Sequence, residues 1–285
     1  MNCWEDQLIL QVRAGSHAYG LAGPHSDEDS RGVCIPPKEA LLGLQSFEQH
    51  EDAKSDHVVF GLPKFIRLAL EGNPNLIETL FTEDILFVNA SGRKLLEHRE
   101  IFLSRKVAER FGHYAISQLK RLEGHHRWWA HPPQQPVPPP LNSRGKAEFG
   151  SQKARLAFDQ ASKEWNHYQR WLRERNPARA ELEQRFGYDT KHAMHLCRLL
   201  KMGEEILSRG VVVVRRPDAD WLRGVRQGSF RYEELVEWAR DREEGLRRLR
   251  ETSPLPDEPD SKRAEELLME IQEDYFWPGY ASRAK

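Results

Sequence analysis

Apolar positions are short and clustered over the first hundred residues and helically spaced beyond them. The apolar segment 7–12 (Q-L-I-L-Q-V) fits either a strand or a helix end, and it runs into a loop over 14–24. Residues 32–35 read as a strand closed by Pro36-Pro37. Val58, Val59 and Phe60 read as another, with Asp56 at its start, after the polar stretch 48–57. Leu62, Phe65, Ile66, Ala69 and Leu70 recur at helical spacing, and Gly72 closes that helix. Asn73 and Pro74 then supply an N-cap and a proline at the first helical position for a short helix through Leu76, Ile77, Leu80 and Phe81.

Beyond Leu95 the spacing predicts helices over 101–122, 147–175, 189–207, 232–250 and 261–274. Two breaks separate them. Residues 131–141 carry six prolines in eleven positions, which removes backbone donors and imposes an extended, exposed course. Residues 252–260 (T-S-P-L-P-D-E-P-D) form a second linker. No internal repeat is visible. The expected class is α+β: a small mixed sheet with flanking helices over 1–100, followed by a mainly helical domain over 101–285.

The 285 residues are 39% hydrophobic and 31% charged, enough for a core though on the polar side. The longest apolar run, 211–214, is far below a membrane span, and Glu5 and Asp6 interrupt any signal-like N-terminus, so neither a span nor a secretory signal is expected. Cys3, Cys34 and Cys197 lack paired spacing, which argues against a disulfide framework or thiolate zinc site and for a reducing cytoplasm. The net charge of −1 hides an uneven distribution. Residues 1–100 hold 9 basic and 16 acidic side chains, 101–182 hold 15 and 7, and 183–285 hold 19 and 21. The basic middle also carries His113, His125, His126, His131 and His167 among Trp128, Trp129, Trp165, Tyr168 and Trp171. Such interleaving suits RNA or another polyanion whose bases stack. Basic residues on solvated helix faces over buried tryptophans would give the same pattern.

The chemistry is concentrated in 15–33. Asp27 and Asp29 are two apart, so on an extended strand both carboxylates face one way and Glu28 the other. Paired hard carboxylates need a cation, and Mg²⁺ or Mn²⁺ held jointly with substrate phosphates is the arrangement of two-metal phosphoryl transfer. Gly15 and Ser16, upstream, offer close backbone approach and a hydroxyl for phosphates. Asp56 heads a neighbouring strand as a candidate third carboxylate, with Asp52 close by. Arg31 shares the strand face of both aspartates, where it steadies them, meets phosphate or makes a plain structural ion pair. A D-x-D can equally be a solvated turn, and Asp56 a strand-edge charge.

The order G-S, ten residues, D-x-D, then a later Asp before an apolar strand resembles the nucleotidyltransferase pattern of the DNA polymerase β superfamily. The string G-S-H-A-Y-G-L-A-G-P-H-S-D-E-D-S-R-G-V over 15–33 is similar to the predicted nucleotidyltransferases of its RNA-ligase-associated branch. Lys64-Phe65, Asn73-Pro74-Asn75 and Glu78 resemble a second block of that branch. Gly187-Tyr188-Asp189, Lys191, Ala193, His195 and Arg198-Leu199 resemble a third. The Pro-rich stretch departs from it. The resemblance implies a nucleotidyltransferase core over 1–100. It implies that Asp27 and Asp29 bind two Mg²⁺ or Mn²⁺ ions, that Asp56 completes the site activating the attacking hydroxyl, and that Gly15 and Ser16 seat an NTP. Its association with RNA ligases implies an RNA end as acceptor.

In the helix from Asp189, Lys191, His195 and Arg198 share one face, opposite Leu196, Leu199, Leu200 and Ile206. Such a basic stripe can reach triphosphate oxygens across a cleft, with Arg as a fork and Lys as a point charge. Salt bridges to the first domain are the alternative. His192 and His195 lack ligand partners at useful spacing for zinc. Two rivals to a transferase remain: an RNA-binding module on the same fold, and a metal-dependent phosphohydrolase.

Overall fold

In the computed structural model the described residues are 4–24, 26–52, 56–175 and 177–277, the side chains of 178 and 179 excepted. Cys3 and His25 of the sequence readings lie outside them. The class is α+β, as the sequence predicts. The first half holds strand β1 (Leu8–Arg13), the single turn α1 (Gly15–Ala18), β2 (Ser30–Cys34), α2 (Lys38–Leu41), β3 (Gln49–Asp52) and β4 (His57–Gly61). It continues with α3 (Leu62–Leu70), α4 (Pro74–Phe81), β5 (Ile85–Val88) and α5 (Ala90–Glu97). Among the described residues the sheet runs β3-β4-β2-β1-β5. It is mixed: β2 pairs with β4 in parallel and the other neighbours are antiparallel.

Segment 7–12 resolves as strand because Ile9, Leu10 and Val12 bury fully between β2 and β5. Helix α4 begins as predicted: Asn73 caps it by accepting from the Asn75 amide at 3.0 Å, with Pro74 at the first position.

The helical half comprises α6 (Arg105–Ala130), α7 (Gln152–Glu174), α8 (Pro177–Phe186), α9 (Thr190–Arg209), α10 (Ala219–Arg226), α11 (Tyr232–Thr252) and α12 (Ser261–Phe276). The expected helix over 101–122 starts later and runs longer. Ser104 accepts from the Val107 amide, which fixes the start, and 99–102 form a separate 3-10 turn. The expected helix over 147–175 likewise starts only at Gln152, where Ser151 caps it. The stretch 131–141 has neither helix nor strand and is largely exposed. The second linker crosses the N-terminus of α6, whose Arg105 and Lys106 amides donate to the carbonyls of Pro256 and Asp257 at 2.8 and 3.2 Å. It therefore caps a helix as well as connecting two.

Helices α6, α9 and α11 pack as a bundle, and α12 returns to lie on α3 and α5 beside the sheet. One buried apolar cluster runs from Ile9 and Val33 through Phe65, Phe111 and Leu196 to Ile271. No helix among the described residues is long and apolar enough to cross a membrane.

Candidate active site

The register of the sheet assembles the candidate chemistry. Arg13 pairs with Ser30 at the end of β1, and the Ala14 amide donates to the Asp29 carbonyl at 2.9 Å. Gly15 and Ser16 are thereby stitched beside Asp29. The parallel pairing of Ser30 with His57 then sets the residues just before them, Asp29 and Asp56, side by side at the entrance of two strands. Asp27 and Asp29 themselves sit in the segment, outside helix and strand, that leads into β2.

These carboxylates act on one another. Burial raises the pKa of Asp29 above its ordinary value; the charge of Asp56 raises it further, Arg31 opposes, and Asp27 adds to the rise. Arg31 donates to the Asp56 carbonyl at 2.6 Å and to its carboxylate at 3.3 Å, so it holds Asp56 in place. Asp56 itself has φ +42°, a left-handed conformation that Asp tolerates better than most residues. Behind it, burial and the charges of His50 and Arg31 lower the pKa of His57, whose Nδ1 lies 2.6 Å from the Ser30 hydroxyl.

Gly15 is required by close approach. Its φ is +60°, and a Cβ there would stand 1.8 Å from Asp29 Oδ2. Gly15→Ala therefore forces both a strained backbone and displacement of the carboxylate. We expect it to cost about 1 kcal/mol or more in urea denaturation, with Asp29→Ala recovering part of the loss in the same background.

A cleft of about 570 Å³ opens over this cluster; the candidate metal and nucleotide residues from the sequence line it, whereas Asp52 and the histidines and tryptophans of the basic middle do not. Gly15, Ser16, Asp27, Asp29, Arg31 and Asp56 form one wall, and Lys191, His195 and Arg198 of α9 another. Asp189 starts α9 by accepting from the amides of Lys191 and His192 at 2.8 and 3.1 Å.

Arg198 is a special case. Its guanidinium is buried, ion-paired to Glu78 of α4, and lies 3.8 Å from the centre of the Tyr19 ring. Tyr19 in turn donates its hydroxyl to Glu78 at 2.5 Å. Burial works against the charge of Arg198, but Glu78 outweighs it and keeps the arginine ionised. The sequence reading did not single out Tyr19 in this role, nor Tyr114 and Arg121 of α6 and Arg226 of α10, which also line the cleft. Arg121 and Arg226 make no ion pair among the described residues, so the helical side brings unmatched positive charge to face the carboxylates.

Several rings of the aromatic middle pack on one another while staying half-buried. His125 lies against Trp128, Trp171 and His192, with ring centres 5.3–6.2 Å apart, and His126 stacks on Tyr232 at 3.6 Å. Apart from His125 on Trp128, both of α6, these are contacts between helices, and Trp129 is exposed.

The donor set of Asp27, Asp29 and Asp56 is all hard oxygen, and its mutual repulsion is what a divalent cation would relieve. Among the described residues, no three His, Cys, Asp or Glu side chains already stand together as a ready-made metal cage. The ions would complete this cluster jointly with a substrate's phosphates.

An uncharacterized 38.9 kDa protein of Enterobacteria phage T4 is 26% identical over 96 residues, covering 30% of this chain and 28% of its own. An uncharacterized protein of Methanocaldococcus jannaschii is 32% identical over 94 residues, covering 30% of this chain and 38% of its own. The chain thus spans well under half the length of these relatives. No solved structure matches it. The model of one family, RlaP, described as the RNA repair pathway DNA polymerase beta family, matches residues 4–270.

Proposed function

The chain belongs to the RNA repair pathway DNA polymerase beta family, and from that membership we propose that it is a metal-dependent nucleotidyltransferase. It moves a nucleoside monophosphate from an NTP to an acceptor hydroxyl, an RNA end, with release of pyrophosphate. The observation that carries this reading is the parallel register of β2 and β4, which sets Asp56 against Asp29 directly below Gly15. In such a transfer the protein positions the reactants and stabilises charge.

Asp27 and Asp29 would hold both Mg²⁺ or Mn²⁺ ions, and Asp56 would complete the site on the acceptor side. When bound, the ions supply charge neutralisation at the transferred phosphoryl group and lower the pKa of the attacking hydroxyl. The chain's own residues do the rest. Gly15 and Ser16 seat the triphosphate, Lys191 and His195 neutralise it from the opposite wall with Arg121 and Arg226, and Arg31 fixes Asp56. Arg198 supports that wall from behind, through Glu78 and Tyr19.

The test is incubation with each NTP, labelled at the α-phosphate, and single-stranded RNA in Mg²⁺ or Mn²⁺. We expect label on the RNA with stoichiometric pyrophosphate, lost in Asp27→Ala. Release of inorganic phosphate instead would convert the reading to a phosphohydrolase. RNA binding that persists in EDTA and in Asp27→Ala, with no label transferred, would leave a binding module.

A further inference from the structure

A second recess, about 710 Å³, adjoins the carboxylate cleft and shares Ser26 and Arg226 with it. It lies between the 20–24 loop, α8 and the C-terminal end of α10. Its walls are apolar: Leu21 and Pro24 on one side, Leu182 and Phe186 on the other. Its charged lining is arginine alone, namely Arg185, Arg223 and Arg226, and no carboxylate lines it among the described residues. Arg185 lies over the Phe186 ring at 5.0 Å. Arg223 is engaged with the Gly20 carbonyl at 2.7 Å and with Asp220. Arg226 makes no ion pair among the described residues and stands at the junction of the two spaces.

We propose that this recess holds the terminal nucleotides of a single-stranded RNA acceptor. An apolar wall with one aromatic ring, edged by cations, matches a base that stacks and a backbone that carries charge. Position chooses the acceptor over the donor nucleotide, and this step rests on the transferase reading. In a phosphoryl transfer the attacking hydroxyl approaches in line with, and opposite to, the leaving pyrophosphate. Gly15 and Ser16, the triphosphate seat, do not line the recess. It meets the cleft instead at Ser26, next to Asp27, so an RNA end lying in it would bring its terminal hydroxyl to the carboxylates without occupying that seat.

The probe is a fluorescein-labelled single-stranded oligoribonucleotide, followed by anisotropy in EDTA at low salt. Calorimetric titration of the same proteins with each NTP and Mg²⁺ runs alongside. The variants are Leu182→Asp, Phe186→Leu, which keeps an apolar side chain against Gly228, and Arg185→Glu, which is exposed and tests the recess without touching the core. We expect each to weaken RNA binding by about tenfold or more, the scale of one lost stacked base or phosphate contact. NTP binding and melting temperature should stay unchanged for Arg185→Glu. Wild-type protein that does not bind the oligoribonucleotide, or RNA affinity unchanged in all three variants, overturns the assignment. Loss of NTP binding instead of RNA binding overturns it too, by giving the recess to the donor base. Recess-dependent RNA binding by a wild-type protein that takes no NTP would sink the transferase reading and leave the recess an RNA site.

Discussion

Asp29→Asn is expected to reduce nucleotide transfer by about a thousandfold or more, while raising the melting temperature at neutral pH in EDTA. The first effect follows from removing a metal ligand where charge develops, which costs several kcal/mol of transition-state stabilisation. The second follows from the electrostatics of the metal-free cluster. The pKa of Asp29 is raised by burial and then by the charges of Asp56 and Asp27, against Arg31. A carboxyl with a folded pKa above its unfolded one makes ionisation a cost to the folded state. That cost is absent below the ordinary value of 3.8, grows as pH rises from there, and is complete above the raised folded value. Asparagine removes it. Thermal melts from acid to neutral pH should therefore show the variant gaining on the wild type as pH rises. Adding Mg²⁺ and NTP should reverse the order, because ligand binds only the native wild-type site and stabilises it by mass action. Mg²⁺ affinity of the wild type should also fall on acidification, since the ion must displace a proton from Asp29. A variant that melts no higher than wild type in EDTA would refute the repulsion, and one that keeps transfer activity would remove Asp29 from the metal site.

The same cluster shows what the sequence can and cannot display. Asp27, Asp29, Gly15 and Ser16 lie within one segment, so their spacing alone put them together. Asp56 needed the partner strand, and a register one residue away would have placed Asp29 beside a different neighbour. Strand β4 was legible because Val58 to Phe60 is an apolar run. Its edge partner β3 is Gln49-His50-Glu51-Asp52, with no alternation to read, and exists only because β4 offers it a ladder. For α9, helical spacing gathered Lys191, His195 and Arg198 on the cleft side, but Leu199, which it placed on the opposite face, lines the cleft too. It could not show that the last of them sits where the helix meets Tyr19 and Glu78, the latter 120 residues away in the chain. Arg121 and Arg226 were invisible as site residues for the same reason: each is one basic position among many on a helix, and only the packing of α6 and α10 turns them toward the carboxylates. For the tryptophans of the basic middle, composition cannot tell a stacking platform for bases from rings packed between helices: Trp128 and Trp171 lie on His125, whereas Trp129 is exposed.

Arg198→Met should destabilise the protein by about 3–5 kcal/mol in denaturant unfolding, because it strands Glu78 as a buried charge. Both members of the pair are nearly inaccessible, with side-chain exposures of 5% and 7%. Solvent can therefore do little to compensate the partner left behind. Glu78→Gln should cost less, since the amide oxygen still accepts from Arg198 while the amide nitrogen, in place of Oε2, donates to the Tyr19 hydroxyl, but the uncompensated guanidinium remains. Removing both charges in Arg198→Met/Glu78→Leu should recover much of the single-variant loss, as buried pairs replaced by apolar groups usually do. The double variant then separates stability from function. Arg198 belongs to α9 and Glu78 to α4, and these helices form facing parts of the cleft wall. A pair that only held the fold together could be exchanged for methionine and leucine with transfer intact. A pair that also sets the distance between the walls cannot, and the well-folded double variant should bind NTP with a clearly raised KM because Lys191 and His195 ride on the same helix as Arg198. Additive losses in the cycle would show that the two charges do not act on each other, and an unchanged KM in the folded double variant would confine the pair to stability.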